Sequence, residues 1–266
     1  MSAVTAKEVQ ALRHATGAGM MDAKRALQET DGDADAATRW LRERGLSQSA
    51  ARSDRANEQG AVAVARNGST AAVVELKSET DYVAKSELFR ALADKLAQAV
   101  ADSGDDAAAR HQTEIDDLRV TLKENIGLGR VVRFEAADGA VIDSYLHLQN
   151  GRGVNGVLVE VSGGDADLAH DIALHIASQR PRWISRDDVP PEKVAEERET
   201  LEKLTRNEGK PEQAVPKIVE GRLSGVFKDV GGCLLEQTFV KDNKQTVAQI
   251  LGEARVTRFA QVEIGR

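Results

Sequence analysis

Seven residues, Glu79-Thr80-Asp81-Tyr82-Val83-Ala84-Lys85, place a hydroxyl, a carboxylate and an aromatic ring on one connection. It runs from a strand-like stretch, Ala72-Val73-Val74-Glu75-Leu76, to an amphipathic helix beginning near Ser86. Such a connection, held by a rigid scaffold, can present side chains to a partner. Aromatic residues make up only 3% of the chain, so a tyrosine at this place asks for a reason. A plainer alternative is that Thr80 or Ser86 caps the helix while Tyr82 packs down as an apolar anchor.

Groupings suited to bond making are not found. His170 and His175 stand five apart, and that spacing does not put two imidazoles on one helix face as a spacing of four would. No glycine-rich loop ends in Gly-Lys-Ser/Thr, no Gly-x-Ser-x-Gly elbow occurs, and Asp187-Asp188 ahead of Pro190 reads as turn chemistry. The single cysteine, Cys233, allows no internal disulfide and no cysteine-rich metal cage, and is expected to be a small core residue. No metal and no cofactor are expected, and a binding or regulatory protein is favoured over an enzyme. A net charge of −7 argues against direct nucleic-acid binding, which calls for a basic face. No run approaches the roughly 20 apolar residues of a membrane helix, and the N-terminus lacks a signal-like pattern, so a cytoplasmic location is expected.

The elements that must position the Thr80 loop are read from periodicity. Residues 1–46 predict a minimal three-helix bundle: a helix capped by Thr5 carrying Val9 and Leu12, a second from Met21 to Gln28, and a third from Ala34 to Arg44 stopped by Gly45. Met20 and Met21 come after two glycines at a helix start, where flexible, polarizable side chains suit an adaptable contact surface; the alternative is that one of them fills the small core. Residues 47–58 read as a polar linker. Residues 59–138 then give a hairpin turning at Asn67-Gly68, the Thr80 loop, a helix with Leu88, Phe89, Leu92, Leu96 and Val100 facing inward, a further helix from Glu114 to Asn125, and a strand from Arg130 to Glu135. Residues 139–266 repeat the unit: a hairpin from Tyr145-Leu148 through Asn150-Gly153 to Val157-Val161, a helix with Leu168, Ile172 and Ile176, and a closing strand from Arg255 to Ile264. Between about 190 and 226, narrow apolar seams broken at Asn207-Pro211 predict a coiled-coil hairpin. The class is α+β.

Aligning Glu75 with Glu160, and Leu96 with Ile176, leaves 21 and 16 residues between the paired positions, so the first copy holds five more. That is the size of Thr80-Ala84, where the second copy has only Ser162-Gly163-Gly164-Asp165. A folding requirement alone would not demand the insertion.

Three stretches carry a resemblance. They are Leu12 with Thr16-Gly17-Ala18-Gly19-Met20-Met21-Asp22-Ala23-Lys24-Arg25-Ala26-Leu27, then Thr80-Asp81-Tyr82-Val83-Ala84-Lys85, and finally Gly209-Lys210-Pro211 with Val219-Glu220-Gly221-Arg222. In order, over nearly the whole chain, they resemble bacterial elongation factor Ts, the guanine-nucleotide exchange factor of elongation factor Tu. The resemblance implies a ubiquitin-associated-like N-terminal bundle, two related core subdomains and the coiled-coil insertion. It implies that the chain binds elongation factor Tu in its GDP form, expels GDP with magnesium, and holds the empty state until GTP enters. Thr80, Asp81, Tyr82 and Val83 would then act on the magnesium side of the partner's nucleotide site, while Leu12, Met20, Met21 and His147 are the expected anchoring contacts. The oligomeric state stays open between a homodimer and a heterotetramer with the partner. Two departures stand out. Tyr82 occupies a position where the family usually has phenylalanine, and its hydroxyl must find a partner or stay wet. Many relatives continue past the final strand with a further module, whereas this chain stops at Arg266, which implies weaker partner affinity or compensation by the coiled coil. The competing reading is an adaptor that docks a partner helix on its N-terminal bundle.

Overall fold

The computed structural model describes residues 4–50 and 52–265; residues 1–3, 51 and 266, which fall in the expected bundle, linker and second subdomain, lie outside it. Helices α1 (Ala6–Thr16), α2 (Met20–Glu29) and α3 (Ala34–Ala50) form the N-terminal bundle. Thr5 and Glu8 close a reciprocal capping box on α1, and Gly17 ends it with φ +71°. Val9, Leu12, Ala23, Ala26, Leu27 and Ala37 make the small core. Gly45 does not stop the third helix, which runs on into the expected linker. Its lack of a side chain serves packing instead: a Cβ there would sit 2.5 Å from Val120 Cγ1, so glycine lets α3 lie close against the helix that carries Val120.

The first core unit is a three-stranded antiparallel sheet, β1 (Gln59–Asn67), β2 (Thr70–Ser78) and β3 (Gly127–Glu135), in that spatial order. Gly68 takes φ +58° in the two-residue hairpin turn. Between β2 and β3 come a single helical turn α4 (Asp81–Ala84), then α5 (Glu87–Ser103) and α6 (Gln112–Leu122). Phe89, Leu92, Leu96 and Val100 bury one face of α5, but Leu88, expected on that face, is 59% exposed because its neighbour Phe89 takes the inward direction. The second unit has the same plan: β4 (Ala140–Gln149), β5 (Arg152–Ser162), α7 (Ala166–Gln179), and a last strand that pairs with β5. Its hairpin turn is tighter than the four residues expected, closing on Asn150 and Gly151, both with positive φ.

The intervening segment holds α8 (Pro191–Asn207) and α9 (Val215–Lys228), which pack on each other through Leu201, Val215, Val219 and Leu223. Leu204, expected in the seam, faces solvent, and Thr205 is buried instead. Next comes a small ribbon not foreseen from sequence, β6 (Thr238–Phe239) with β7 (Asp242–Thr246), then α10 (Val247–Leu251) and the closing strand β8 (Arg255–Glu263).

Alternation along the strands explains the layering. In β1 and β2, Ala61, Ala63, Ala72, Val74 and Leu76 face α5, whereas Val62, Ala71 and Val73 face the other way and meet Leu158, Ala260 and Val262 of the second sheet. In β5, Val157, Val159 and Val161 face α7. The two units therefore pack sheet to sheet, each with its helix outside. Gly156 marks the closest approach, since a Cβ there would lie 2.6 Å from Val62 Cγ1 and 2.8 Å from Val73 Cγ2.

Candidate functional site

Two caps in succession shape the connection after β2. The Thr80 hydroxyl accepts the Val83 N–H (3.3 Å) at the start of α4, and the Ser86 hydroxyl accepts the Phe89 N–H (3.4 Å) at the start of α5. The capping expected of these residues is present, but Tyr82 does not pack down. Val83 and Ala84 turn into the core under α5, while the Tyr82 ring on the opposite side of the turn is 82% exposed. Part of this connection therefore does serve folding. The presented part is Asp81 and Tyr82.

Asp81 is in solvent, paired with Lys85 one turn on. The Lys85 ammonium holds its carboxyl below the usual aspartate range, with Arg152 adding to the effect, so Asp81 is a firm anion at neutral pH. The root of the turn is fixed from below. Glu124, just past α6, accepts the N–H groups of Glu79 (3.0 Å) and Thr80 (3.1 Å) and the Thr80 hydroxyl proton. Glu79 in return accepts the Asn125 N–H (2.6 Å). Periodicity gave no sign of Glu124 because its contact with Thr80 spans 44 residues of chain.

The remaining expected contacts lie on other elements. Met20 (60% exposed) and Met21 (73%) both stand outward on the first turn of α2, so neither fills the core. Leu12 is a correction: at 4% exposure it packs among Val9, Ala23 and Leu27, because it sits on the α1 stripe that closes the bundle, and it supports the methionine surface without being part of it. His147 is exposed near the end of β4, its ring stacked on Tyr145 with centroids 6.4 Å apart, and its neighbour Leu148 is also exposed. The Arg90 guanidinium on α5 donates to the Gly151 carbonyl (2.8 Å), tying the end of the second hairpin to the helix that comes after the Thr80 turn. The structure thus brings the turn and the His147 hairpin into one neighbourhood, with Leu88 and Leu148 as exposed apolar residues that sequence reasoning did not assign.

The histidines of α7 are engaged within the fold. His170 Nδ1 lies 2.8 Å from Asp143, and His175 is buried against Gln237. Cys233 is buried, and burial pushes its thiol up to about 11. Among the described residues no group of three or more His, Cys, Asp or Glu is placed to hold a metal ion, and no helix is long and apolar enough to cross a membrane.

Comparison with known proteins agrees with this arrangement. A family model described as Elongation factor TS matches residues 79–266, beginning at the root of the Thr80 turn. Over the full length of both chains, the sequence is 44% identical to elongation factor Ts of Acidothermus cellulolyticus and 45% identical to that of Mycolicibacterium smegmatis. It is 46% identical, again over both full lengths, to that of Mycobacterium tuberculosis strain H37Ra. With the exposed acidic-aromatic turn, the paired sheet units and the helical insertion all in place, the chain belongs to the elongation factor Ts family.

Proposed function

We propose that this protein is the guanine-nucleotide exchange factor of elongation factor Tu in the cytoplasm. It engages the GDP-bound form, dislodges magnesium and GDP, and keeps the emptied partner open until GTP enters. The observation that carries this reading is the outward Tyr82 ring on a turn whose Val83 and Ala84 are locked into the core. A ring on a mobile loop would lose much of its effect to reordering. Here the turn is already set, so contact energy can go into displacing the partner. The chain makes and breaks no bond in a substrate, and it is a regulator of another protein's nucleotide site.

Magnesium demands near-ideal ligand geometry, so an aromatic wedge that shifts an element bearing a ligand, or a group supporting one, weakens the ion without touching it. The Asp81 carboxylate, brought toward bound phosphates, disfavours them further. Magnitude limits what the wedge does alone. Burying one aromatic side chain yields about 2–3 kcal/mol, whereas a nucleotide held at nanomolar strength is bound by about 12 kcal/mol. The rest must come from other surfaces. Met20 and Met21 on α2, and His147 with Leu148 on β4, are the proposed anchors. Linkage makes the effect reciprocal, so GTP expels the factor as strongly as the factor expels GTP.

The test is release of fluorescent GDP from purified elongation factor Tu with and without this protein. A large rise in the off-rate is expected. The exposed methionine pair also favours a second reading, an adaptor that docks a partner helix on the bundle, and that reading requires binding with no change in the GDP off-rate.

A further inference from the structure

The reading of Asp81 and Tyr82 as the working tip leaves open what aims them. Two residues just past β2 and two just past α6 are joined in a reciprocal clasp. The Glu124 carboxylate accepts two successive backbone N–H groups, of Glu79 at 3.0 Å and Thr80 at 3.1 Å, and also the Thr80 hydroxyl proton. The Glu79 carboxylate crosses back to accept the Asn125 N–H at 2.6 Å and meets the Arg55 guanidinium at 3.4 Å. The Thr80 hydroxyl has a single proton. With that proton given to Glu124, its lone pairs are turned to the Val83 N–H at 3.3 Å, which caps the α4 turn. One carboxylate thereby fixes the backbone direction entering the turn and the polarity of the hydroxyl that caps it. Charge-assisted hydrogen bonds of this kind are the stronger ones. The clasp also reaches the segment leading from the bundle: Asn125 Nδ2 donates to the carbonyls of Ser53 (3.0 Å) and Arg55 (2.7 Å).

We infer that Glu124 is a positioning residue for nucleotide exchange. Its carboxylate is taken up by Glu79 and Thr80, and it acts by holding Asp81 and Tyr82 in the direction from which they enter the partner. Asn125 fastens the same clasp to the stretch that carries the methionine-bearing bundle, so the tip and one anchor share a fixed root. This inference rests on the exchange reading above. Glu124 is half-buried and stands outside the apolar cluster under α5, whereas Asn125 beside it is buried, so the test is made at Glu124.

Glu124→Ala and Glu124→Gln in the full-length chain test it, measured beside Asp81→Ala/Tyr82→Ala. Three readouts are taken: the GDP release rate at saturating factor, the affinity for nucleotide-free elongation factor Tu, and the melting temperature. For Glu124→Ala the saturated rate should fall about tenfold, the loss of one to two net hydrogen bonds in aiming the tip, with affinity within about threefold and melting lowered by only a few degrees. Glu124→Gln keeps a carbonyl oxygen able to accept both backbone N–H groups, and should recover most of the rate. A merely structural role would lower rate, affinity and melting together, which overturns the inference. An unchanged rate in Glu124→Ala with a defective Asp81→Ala/Tyr82→Ala also overturns it while leaving the exchange reading standing. If the double variant itself exchanges normally, the tip is not the working element and the inference falls, while exchange by the chain still stands; no exchange by the parent chain would overturn the exchange reading itself.

Discussion

The two core units are built on one plan, and they differ in the connection that leaves the central strand. In both, a glutamate sits buried at an irregularity in the ladder, Glu75 between Val74 and Leu76 and Glu160 beside Val161, and in both its carboxylate is met from the neighbouring strand, by the Arg130 N–H in one and by Thr257 and Arg258 in the other. From there the paths diverge. The helix cap comes 11 residues after Glu75, at Ser86, but 5 after Glu160, at Asp165. The second unit makes its turn with Gly163 at φ +73° and goes straight into α7; the first spends the extra length on α4. The sister unit shows that a strand and helix of this kind can be joined without a presented ring. The comparison supports the proposal that the ring serves a partner outside the chain, while Val83 and Ala84 are drawn into the core.

The sharpest way to break this comparison is Asp81→Ala with Tyr82→Ala. Both side chains are in solvent, so folding should be unaffected and complex formation with elongation factor Tu retained. The exchange rate should drop about thirtyfold to a hundred-and-fortyfold, the worth of about 2–3 kcal/mol of aromatic burial. A parallel loss of binding and exchange would contradict the division between tip and anchors.

The next effect concerns what the units share. Leu158 is buried in the layer between the sheets with Val62, Val73 and Val262. Leu158→Ala should cost about 2–5 kcal/mol, through lost transfer energy and the cavity left behind. If the units are one cooperative body, chemical unfolding stays a single transition at lower denaturant. Two separated transitions would mean that each sheet and helix pair folds independently.

Much of this arrangement could be read from residues alone, and the failures have physical causes. Gly68 and Asn150-Gly151 announce hairpins because few other residues accept the positive φ such turns need, although the first turn closes on Gly68-Ser69 with Asn67 still paired in β1, and the apolar stripes of α5 and α7 are visible because each buries a full face. Gly45 misled because glycine is both a helix stop and a spacer, and only the approach of Val120 distinguishes them. The β6 and β7 ribbon was invisible because Asp242-Asn243-Lys244-Gln245-Thr246 has no alternating apolar pattern. Of the candidate site, the exposure of Asp81, Tyr82, Met20 and Met21 was legible, because polar or flexible residues stood where a capping or core role alone did not call for them. The burial of Leu12 in the free chain was not legible, because a match in sequence does not say which of its residues stand at the surface and which pack beneath them. The Glu124 clasp joins distant segments by hydrogen bonds to backbone, which leave no periodic trace.

A subtler difference between the units lies at the matching positions Lys95 on α5 and His175 on α7. Lys95 is exposed and paired with Glu114, whereas His175 is roofed by the β6 and β7 ribbon, with Phe239 stacked on its ring. The Val240 N–H donates to Nδ1 (3.3 Å), so Nε2 carries the proton and donates to the Gln237 amide oxygen (3.0 Å). Burial pushes the imidazole below its ordinary value of 6.5, with Gln237 offsetting part of the shift. The unfolded chain takes up a proton below about 6.5 that the folded chain refuses. The stability contributed by neutral His175 is therefore complete above that pH and is lost as pH falls through it toward the folded value, with a slope of at most about 1.4 kcal/mol per pH unit. Urea titrations between about pH 7.5 and 5 should show this fall, and His175→Gln should flatten it; an equal slope in the variant would place the acid sensitivity elsewhere.

The smallest expected effect is at the residue that most sharply separates the units. Tyr82→Phe removes one hydroxyl, and in the free chain that hydroxyl has no hydrogen-bond partner among the described residues, since the ring stands outward on α4. Stability should not move. During exchange the ring supplies apolar area, and the hydroxyl at its tip can remain in water if the wedge enters edge first. Saturated exchange in Tyr82→Phe should then stay within about threefold of the parent, below what loss of a paired neutral hydrogen bond typically costs at its upper range. A drop beyond about tenfold, measured by release of fluorescent GDP, would instead mean that the hydroxyl bonds to the partner. The tip would then be a specific recognition element matched to one elongation factor, and area alone would no longer explain why the first unit carries a ring where the second has glycines.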